Sequence, residues 1–580
     1  MSDAMKTYLE WLENETFDRQ TRAELAEISD KPDEIEDRFY TSLSFGTAGL
    51  RGVIGAGTNR MNFYTVASAA DAFARYVAGE GETARRSGIV ISYDSRRFSR
   101  EFAVLTARIF VAHGVKVFLS DELRPVPLLS FAVRFYRAFG GVMITASHNP
   151  AKYNGFKAYG ADGGQMPPEA ADIISRNMAQ NRDLPALLDV VSENMARQQT
   201  GLWSDIGPEL DARYNEMLLG LSIQPDAVRD QCGLKIVYTP LHGSGNKPVR
   251  RILSSMGFEN VLVVPEQEMP DPDFPTVIYP NPEERDALNL AIELASRENA
   301  DLVIATDPDA DRTGLCVRDR KGNYRILTGN QIGLLLMEYI LSGKAAKGVL
   351  AEKSFVVSSI VSTRLSRRVA AAYGVRSFEV LTGFKYIGEM IKELDEQGDW
   401  SFQFGFEESF GYLAGTDVRD KDAVVASMLI AEMAAVAAQS KKTIFDLLQD
   451  LYRKYGYAAE QTESITLEGK SGLEKISNAM SALRANKAEG INNVNVLRIL
   501  DFSDGTILNL SDKTTEKLEF ASADVLLYET GELDWFCIRP SGTEPKIKIY
   551  YGTYGPDESD CLSRLAILRQ SVGQVLKSYL

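Results

Sequence analysis

At 580 residues the chain is too long for one hydrophobic core, and length alone predicts about three to five domains. Hydrophobic residues at 44% and charged residues at 25% are values of an ordinary globular protein, so composition indicates neither disorder nor a membrane class. A net charge of −16 argues against a dedicated nucleic-acid binder, yet a few local Arg and Lys residues can still make a positive pocket for a small phosphorylated ligand.

In chain order, residues 1–40 predict two helices rich in Glu, Asp and Arg, and residues 1–20 lack the basic-then-apolar layout of a secretion signal. Cys232, Cys316, Cys537 and Cys561 lie far apart with no CxxC pair, which predicts reduced core thiols and a cytoplasmic protein. From residue 88 onward one unit recurs, at no fixed period: an apolar β-branched run, a polar loop, a helical stretch. Gly88-Ile89-Val90-Ile91 leads into Tyr93-Asp94-Ser95-Arg96, and Leu234-Lys235-Ile236-Val237 leads into Tyr238-Thr239-Pro240-Leu241-His242-Gly243. Leu302-Val303-Ile304-Ala305 leads into Thr306-Asp307-Pro308-Asp309. The alternation predicts α/β domains whose ligands collect beyond the carboxyl ends of the strands. Residues 265–285, dense in Pro, Asp and Glu, predict an irregular surface excursion. The apolar run 423–438 is broken by Ser427 and Glu432, falls short of a membrane span and predicts a buried helix. After residue 455 the alternating segments 461–467 and 547–550 predict a smaller α+β domain.

Gly141-Val142-Met143-Ile144 predicts a buried strand, and Thr145-Ala146-Ser147-His148-Asn149-Pro150 follows it. One serine thus stands at a strand exit, where its hydroxyl can reach a ligand while the backbone stays rigid. Alone, the hexapeptide is equally good turn chemistry. Asp307-Pro308-Asp309-Ala310-Asp311-Arg312 places three carboxylates on one loop after an apolar strand. Such crowding is costly without a cation, and oxygen donors at alternate positions suit Mg²⁺. A calcium EF-hand is ruled out, because Arg312 and Arg318 stand where Gly and Glu are required. A solvated acidic turn stays open, as does a phosphatase with Asp307 as nucleophile and Asp309 as acid/base. That phosphatase wants Thr or Val where Asp311 stands.

Arg539-Pro540-Ser541-Gly542-Thr543-Glu544-Pro545 combines a guanidinium, two hydroxyls and a glycine, a pattern suited to an oxyanion nest or, more plainly, to a hairpin turn. Gly405-Phe406-Glu407-Glu408-Ser409-Phe410-Gly411 offers carboxylates and a hydroxyl to vicinal sugar hydroxyls, and Thr382-Gly383-Phe384-Lys385 reads as a ligand loop or a helix start. A dinucleotide fingerprint and a P-loop are both broken, at Arg60 and Ser464, and with only His113, His148 and His242 a hydrolase triad is poorly supported. His113, in an apolar stretch, reads as structural.

With these loops in this order, the chain resembles the α-D-phosphohexomutase family over nearly its whole length. Ser44-Phe45-Gly46-Thr47-Ala48-Gly49-Leu50-Arg51-Gly52 adds a likeness to that family's N-terminal loop. The resemblance implies an α/β fold of four domains around a central cleft. The first three would be related mixed α/β sheets with helices, the fourth a smaller α+β domain. The bounds expected are 1–212 for a phosphoserine domain, 213–327 for metal, 328–455 for sugar and 456–580 for phosphate. It further implies that Ser147 is carried as phosphoserine and, with Asp307, Asp309 and Asp311, is a ligand of Mg²⁺. His148, Lys157, Arg51 and Arg312 would complete the catalytic set. Thr382, Gly383, Glu407, Ser409, Lys421, Arg539, Ser541, Gly542 and Thr543 would touch substrate.

The implied reaction interconverts glucose 1-phosphate and glucose 6-phosphate, with glucose 1,6-bisphosphate as activator and intermediate. Two departures leave the sugar open: the chain is longer than the compact bacterial mutases, and the Glu407 loop lacks the histidine many of them carry after the serine. Pentose or mannose phosphates, or bisphosphate synthesis, are the alternatives on the same scaffold, with the aspartate phosphatase further off. The expected partners are small phosphorylated sugars, with no nucleic acid and no membrane, and the expected state is a monomer or weak dimer.

Overall fold

The computed structural model describes residues 1–46, 49–199, 201–467, 469–486, 491, 494–541 and 546–580. These fall into two compact units: Met1–Gly329 with Gly388–Phe404 and Ser409–Ile444, and Asn330–Ile387 with Gly405–Glu408 and Phe445–Leu580.

In the first unit, three helices form where two are predicted: Asp3–Glu13, Arg19–Ala26 and Pro32–Phe39. The extra break has local causes. The Asp18 side chain accepts from the Thr21 N–H and so starts the second helix afresh, and Pro32 opens the third at a position that needs no N–H. Trp11, Phe17, Phe39 and Tyr64 pack edge-to-face and stacked to close a small core over these helices.

Two mixed sheets follow in the same unit. The first runs Leu50–Val53, Tyr153–Tyr159, Gly140–Ile144, Ile89–Tyr93, Val117–Ser120, Trp203–Ile206, and the second runs Tyr324–Ile326, Thr313–Arg318, Leu302–Thr306, Lys235–Thr239, Asn260–Val263. In each, the central strands (Gly140–Ile144 beside Ile89–Tyr93, and Leu302–Thr306 beside Lys235–Thr239) run parallel and are covered on both faces, so their β-branched residues are wholly buried. Burying a side chain such as Val142 or Ile304 stabilises by about 1.5–3 kcal/mol. Each sheet also repeats one device: a buried parallel strand ends in a loop, and the chain returns antiparallel beside it. Gly140–Ile144 returns as Tyr153–Tyr159, and Leu302–Thr306 returns as Thr313–Arg318. The first return is tight enough to require Gly155, where a Cβ would stand 2.5 Å from the Thr145 carbonyl oxygen.

The apolar run at 423–438 is the buried helix Ala423–Gln439. Its Glu432 is satisfied by the Ser222 hydroxyl and the Ile223 and Gln224 N–H groups. Among the described residues no single helix is long and apolar enough to cross a membrane. His113 is structural, as expected: its Nε2 lies 2.9 Å from Asp71 Oδ1.

In the second unit, parallel strands Ser354–Ser359 and Arg376–Val380 are joined through helix Leu365–Ala372. A seven-stranded antiparallel sheet ends the chain, and helix Glu558–Tyr579 packs on it through Leu565, Leu568 and Val572. Mixed α/β layers followed by a terminal α+β layer are the fold class expected from the sequence.

Candidate active site

Because strand Gly140–Ile144 is buried between Ile89–Tyr93 and Tyr153–Tyr159, the chain leaves the sheet at Thr145 with little freedom. Ser147 stands at that exit, buried, with a left-handed φ of 52°. Its N–H donates to Thr145 Oγ1 at 2.8 Å, and Thr145 Oγ1 lies 2.6 Å from Asp94 Oδ2. The buried Arg96 guanidinium collects four carbonyls of the loop: Ser147 and Asn149 on Nη2, Pro150 and Tyr153 on Nη1 at 3.0 Å each. Asp94 Oδ2, 3.4 Å from Arg96 Nε, balances that charge. The serine loop is therefore wrapped around a cation. The serine hydroxyl itself donates to Asp307 Oδ2 at 2.7 Å and lies 3.2 Å from His148 Nδ1.

The aspartate loop is held by its backbone, which leaves its side chains to converge. The Pro308 carbonyl accepts from the Ser244 N–H and hydroxyl at 2.8 and 2.7 Å, and the Asp309 carbonyl from the Val126 N–H at 2.9 Å. Asp307 Oδ1 accepts from the N–H groups of Asp311 and Arg312 at 3.1 and 3.0 Å. One oxygen from each of Asp307, Asp309 and Asp311 lies within 4.8 Å of the others, all three residues being buried. Asp309 Oδ1 accepts no hydrogen bond, and Asp311 Oδ1 has the Arg312 Nε at 3.8 Å in place of one. A buried carboxylate oxygen without a donor, among neighbours of like charge, costs several kcal/mol. A hard divalent cation supplies what is missing, so this donor set fits a metal.

Three cations border the triplet. Lys157 Nζ lies 2.7 Å from Asp309 Oδ2 and 3.4 Å from Asp311 Oδ2, Lys421 Nζ lies 3.2 Å from Asp311 Oδ2, and Arg312 flanks the other side. Burial, then the charges of Asp309 and Asp311, push the Asp307 carboxyl well above the usual range. Burial acts the same way on Asp311, but Lys421, Lys157 and Arg312 outweigh it and hold that carboxyl below the usual range. Burial disfavours the Lys157 ammonium, and Asp309 and Asp311 more than offset this, so Lys157 keeps its proton more firmly than usual. Burial, followed by the Arg312 and Arg51 charges, drives His148 well below the usual histidine value and keeps it neutral.

Arg51, on strand Leu50–Val53, donates to Asn149 Oδ1 at 3.1 Å. Asp420 holds Lys421 Nζ at 3.0 Å and itself accepts from Tyr159 Oη and Gln165 Nε2 at 3.1 Å each. Ser409 lies in the turn before Phe410, whose carbonyl accepts from the Thr313 N–H at 3.0 Å, and Gly411 pairs with Arg312. The first unit thus brings Ser147, His148, Arg51, Lys157, Lys421, Arg312 and the triplet into one cluster, with Ser409 sewn to the aspartate loop.

The second unit carries the remaining predicted residues. Glu407 Oε1 accepts from the Gly383 N–H at 2.7 Å, with Gly383 at φ 125°, and Thr382 Oγ1 is buried without a hydrogen bond. Glu408 Oε2 accepts from the Ser359 and Ser362 hydroxyls at 2.9 and 3.4 Å. Arg539 sits on strand Trp535–Pro540 opposite Lys548, and the Ser541 N–H donates to the Lys546 carbonyl at 2.7 Å. Gly542 and Thr543 lie outside the described residues.

Arg96, Asp94, Thr145 and Asp420 escape the sequence reading. A signal for Arg96 and Asp94 was there, since their loop leaves strand Ile89–Tyr93 at the same kind of exit as Ser147 and Asp307. Asp420 has none, because its partners Tyr159 and Gln165 are about 260 positions away.

Comparison with known proteins puts this geometry in a family context. Residues 42–184, 212–322 and 328–455 match the models of phosphoglucomutase/phosphomannomutase α/β/α domains I, II and III, respectively. A phosphoglucomutase of Staphylococcus aureus (strain N315) is 36% identical over 92% of the chain and 94% of its own length. That of Staphylococcus epidermidis is 39% identical over 89% of the chain and 92% of its own length. Among solved structures, the open form of pp63/parafusin, a phosphoglucomutase from Paramecium, covers 93% of this chain and 96% of its own with TM-score 0.66 at 16% identity. A phosphoglucomutase/phosphomannomutase family protein from Burkholderia thailandensis covers 93% of this chain and 97% of its own with TM-score 0.63 at 19% identity. These two carry a likeness of fold.

Proposed function

The chain belongs to the phosphoglucomutase/phosphomannomutase family, and from that premise we propose that it interconverts glucose 1-phosphate and glucose 6-phosphate through a phosphoserine at Ser147 and glucose 1,6-bisphosphate. The observation that carries the proposal is the Ser147 hydroxyl, buried and 2.7 Å from the first carboxylate of a metal-competent triplet. Glucose is favoured over mannose and pentose because the staphylococcal relatives at 36–39% identity are phosphoglucomutases. The same reading divides the chain at 1–212, 213–327, 328–455 and 456–580 into domains for phosphoserine, metal, sugar and phosphate.

In the proposed transfer the Ser147 Oγ–phosphorus bond breaks, a bond forms from phosphorus to the free sugar hydroxyl, and that hydroxyl gives up its proton. The bisphosphate turns round and returns its other phosphoryl group to Ser147. Asp307, Asp309 and Asp311 would hold Mg²⁺ beside Ser147, and when bound the ion supplies Lewis-acid polarisation of the phosphoryl oxygens. Lys157 is held as an ammonium and serves charge neutralisation or proton donation, a narrower role than general base. Neutral His148 places a ring nitrogen 3.2 Å from Ser147 Oγ, within reach of the proton that oxygen carries once its phosphoryl group has left. Glu407 and Ser409, with Thr382, Gly383 and Lys421, would read the sugar, and Arg539, Ser541, Gly542 and Thr543 would grip the phosphate that is not reacting.

The phosphatase alternative loses ground, because both oxygens of Asp307 already accept hydrogen bonds. Initial rates with Mg²⁺ and a trace of glucose 1,6-bisphosphate, on the 1-phosphates of glucose, mannose and ribose in parallel, test the proposal. Ser147→Ala abolishes isomerisation of the preferred ester. Wild-type-like turnover in that variant sinks the phosphoserine mechanism, and phosphate release without isomerisation restores the phosphatase.

A further inference from the structure

The turn Tyr238-Thr239-Pro240-Leu241-His242-Gly243 has no part in the mechanism above, although it leaves a buried parallel strand as Ser147 and Asp307 do. On one side it grips the aspartate loop: Gly243 packs so closely that a Cβ would stand 2.4 Å from Pro308 Cα, and Ser244 binds the Pro308 carbonyl. On the other side it holds the excursion that follows residue 265. The His242 N–H donates to the Gln267 carbonyl at 3.0 Å, and the His242 carbonyl accepts from the Asp271 N–H at 3.3 Å.

The hydrogen bonds of the ring are self-consistent. The Met269 carbonyl, 3.3 Å from Nδ1, can only accept, so Nδ1 carries the proton. Nε2 is then an acceptor for the Thr276 hydroxyl at 2.9 Å, and that oxygen accepts in turn from Gln267 Nε2 at 3.1 Å. Thr239 closes the network by donating to Gln267 Oε1 at 2.6 Å.

Phe274 stands inside the segment so pinned. It is 1% exposed, although a left-handed φ of 44° is a strained place for a bulky residue. Its ring covers the guanidinium of Arg96, with the carbon centre 4.9 Å from the ring centroid. This is the same guanidinium whose four carbonyl partners shape the Ser147 loop. The aromatic face excludes water from the guanidinium it covers and leaves its N–H groups aimed at the loop.

We propose that Phe274 is a positioning residue for Ser147: the excursion at 271–276 caps Arg96, fixes the serine loop, and is clasped by His242 and Thr276 to the turn that also holds the aspartate loop. The device ties the phosphoryl carrier and the metal ligands to one support. It rests on the reading of Ser147 as that carrier.

The test uses the full chain with Mg²⁺ and glucose 1,6-bisphosphate, comparing wild type with Phe274→Leu, Phe274→Trp and Thr276→Val. Leucine keeps an apolar side chain but loses the ring, and misplacement of the serine loop by a fraction of an ångström lowers kcat about tenfold. KM for glucose 1-phosphate stays within about twofold, because no sugar contact changes. Phosphoserine on Ser147, followed by intact-mass spectrometry after removal of substrate, decays faster in the leucine variant than in wild type. Tryptophan restores both readouts, and Thr276→Val, should the leucine variant not fold, shows the same split more weakly. Unchanged kcat and unchanged phosphoserine lifetime in the folded variants overturn the proposal alone. A wild-type chain that takes up no phosphate on Ser147 overturns the underlying reading, and the proposal with it.

Discussion

Replacing Lys157 by methionine keeps the reach of the side chain and removes the ammonium 2.7 Å from Asp309 Oδ2 and 3.4 Å from Asp311 Oδ2. At an effective dielectric constant of about 20, contacts of that length are worth about 5–6 kcal/mol each before desolvation is subtracted. The cost of breaking a buried pair by deleting one partner is about 3–5 kcal/mol, because the other charge is left uncompensated. That cost applies in EDTA, where Lys421 and Arg312 remain beside Asp311 but Asp309 Oδ2 loses the ammonium that faces it. With a divalent cation on the triplet the carboxylates are already neutralised, and the cost falls to the packing change, about 1 kcal/mol. The cycle must close, so a difference of about 2–4 kcal/mol reappears as tighter metal binding by Lys157→Met, a Kd lower by about 30-fold or more. Isothermal titration of MgCl₂ into metal-stripped wild type and variant measures one leg, and urea unfolding in EDTA and in Mg²⁺ measures the other. An unchanged or weaker Kd in the variant refutes the reasoning, as does equal destabilisation in both buffers.

Two further outcomes are expected. Arg539→Ala raises KM for glucose 1-phosphate by about tenfold or more with a smaller change in kcat, as loss of a charge-assisted phosphate contact should; steady-state rates check it, and an unchanged KM for every phosphosugar assigns that loop to another ligand. Asp422 starts helix Ala423–Gln439 by accepting from the Val424 and Val425 N–H groups, and burial outweighs these donors and pushes its carboxyl up to about 6. A folded-state value above the unfolded one means that ionisation opposes the fold. The contribution is therefore full below about pH 4 and lost as pH rises through about 6, about 3 kcal/mol in all. Asp422→Asn keeps the cap and removes the titration, so urea unfolding should show it gaining on wild type between about pH 4 and pH 7. Stability curves that run parallel across that interval count against the assignment.

What the sequence disclosed, and what it hid, follow from the range over which each feature is encoded. Ser147 and the aspartate triplet were legible because a buried strand and the loop it feeds are contiguous in the chain. The strand pattern says where the loop points, and the loop carries the chemistry. The terminal sheet was legible for a similar reason, since strand Tyr457–Thr466 alternates half-exposed and exposed residues along most of its length. Arg96 was hidden because its importance lies in carbonyls some fifty positions away, which leave no trace in residue type. Phe274 was hidden in a run of prolines and acids that reads as surface, whereas its burial and its pairing with Arg96 show that the ring faces inward. The third N-terminal helix was missed because its breaks rest on single residues, the Asp18 cap and Pro32, within a short segment otherwise rich in helix formers.

The charges around Ser147 give a reason for the whole arrangement. Fully ionised, five carboxylates (Asp94, Asp307, Asp309, Asp311, Asp420) stand among five cations (Arg51, Arg96, Lys157, Arg312, Lys421), with His148 held neutral. A phosphoryl group on Ser147 adds close to two negative charges, and a divalent cation adds two positive ones. Together they leave the buried cluster balanced; either alone leaves it about two charges out of balance, where desolvation makes the imbalance expensive. Metal and phosphoryl group should therefore bind as a pair, with a coupling of at least about 1.4 kcal/mol, or tenfold. Phosphorylated protein should bind Mg²⁺ at least tenfold more tightly than protein stripped of its phosphate, and by reciprocity Mg²⁺ should favour the phosphorylated state by the same factor. Equal Mg²⁺ affinities for the two forms would mean that charge balance does not organise this site, and that the lysines serve the sugar alone.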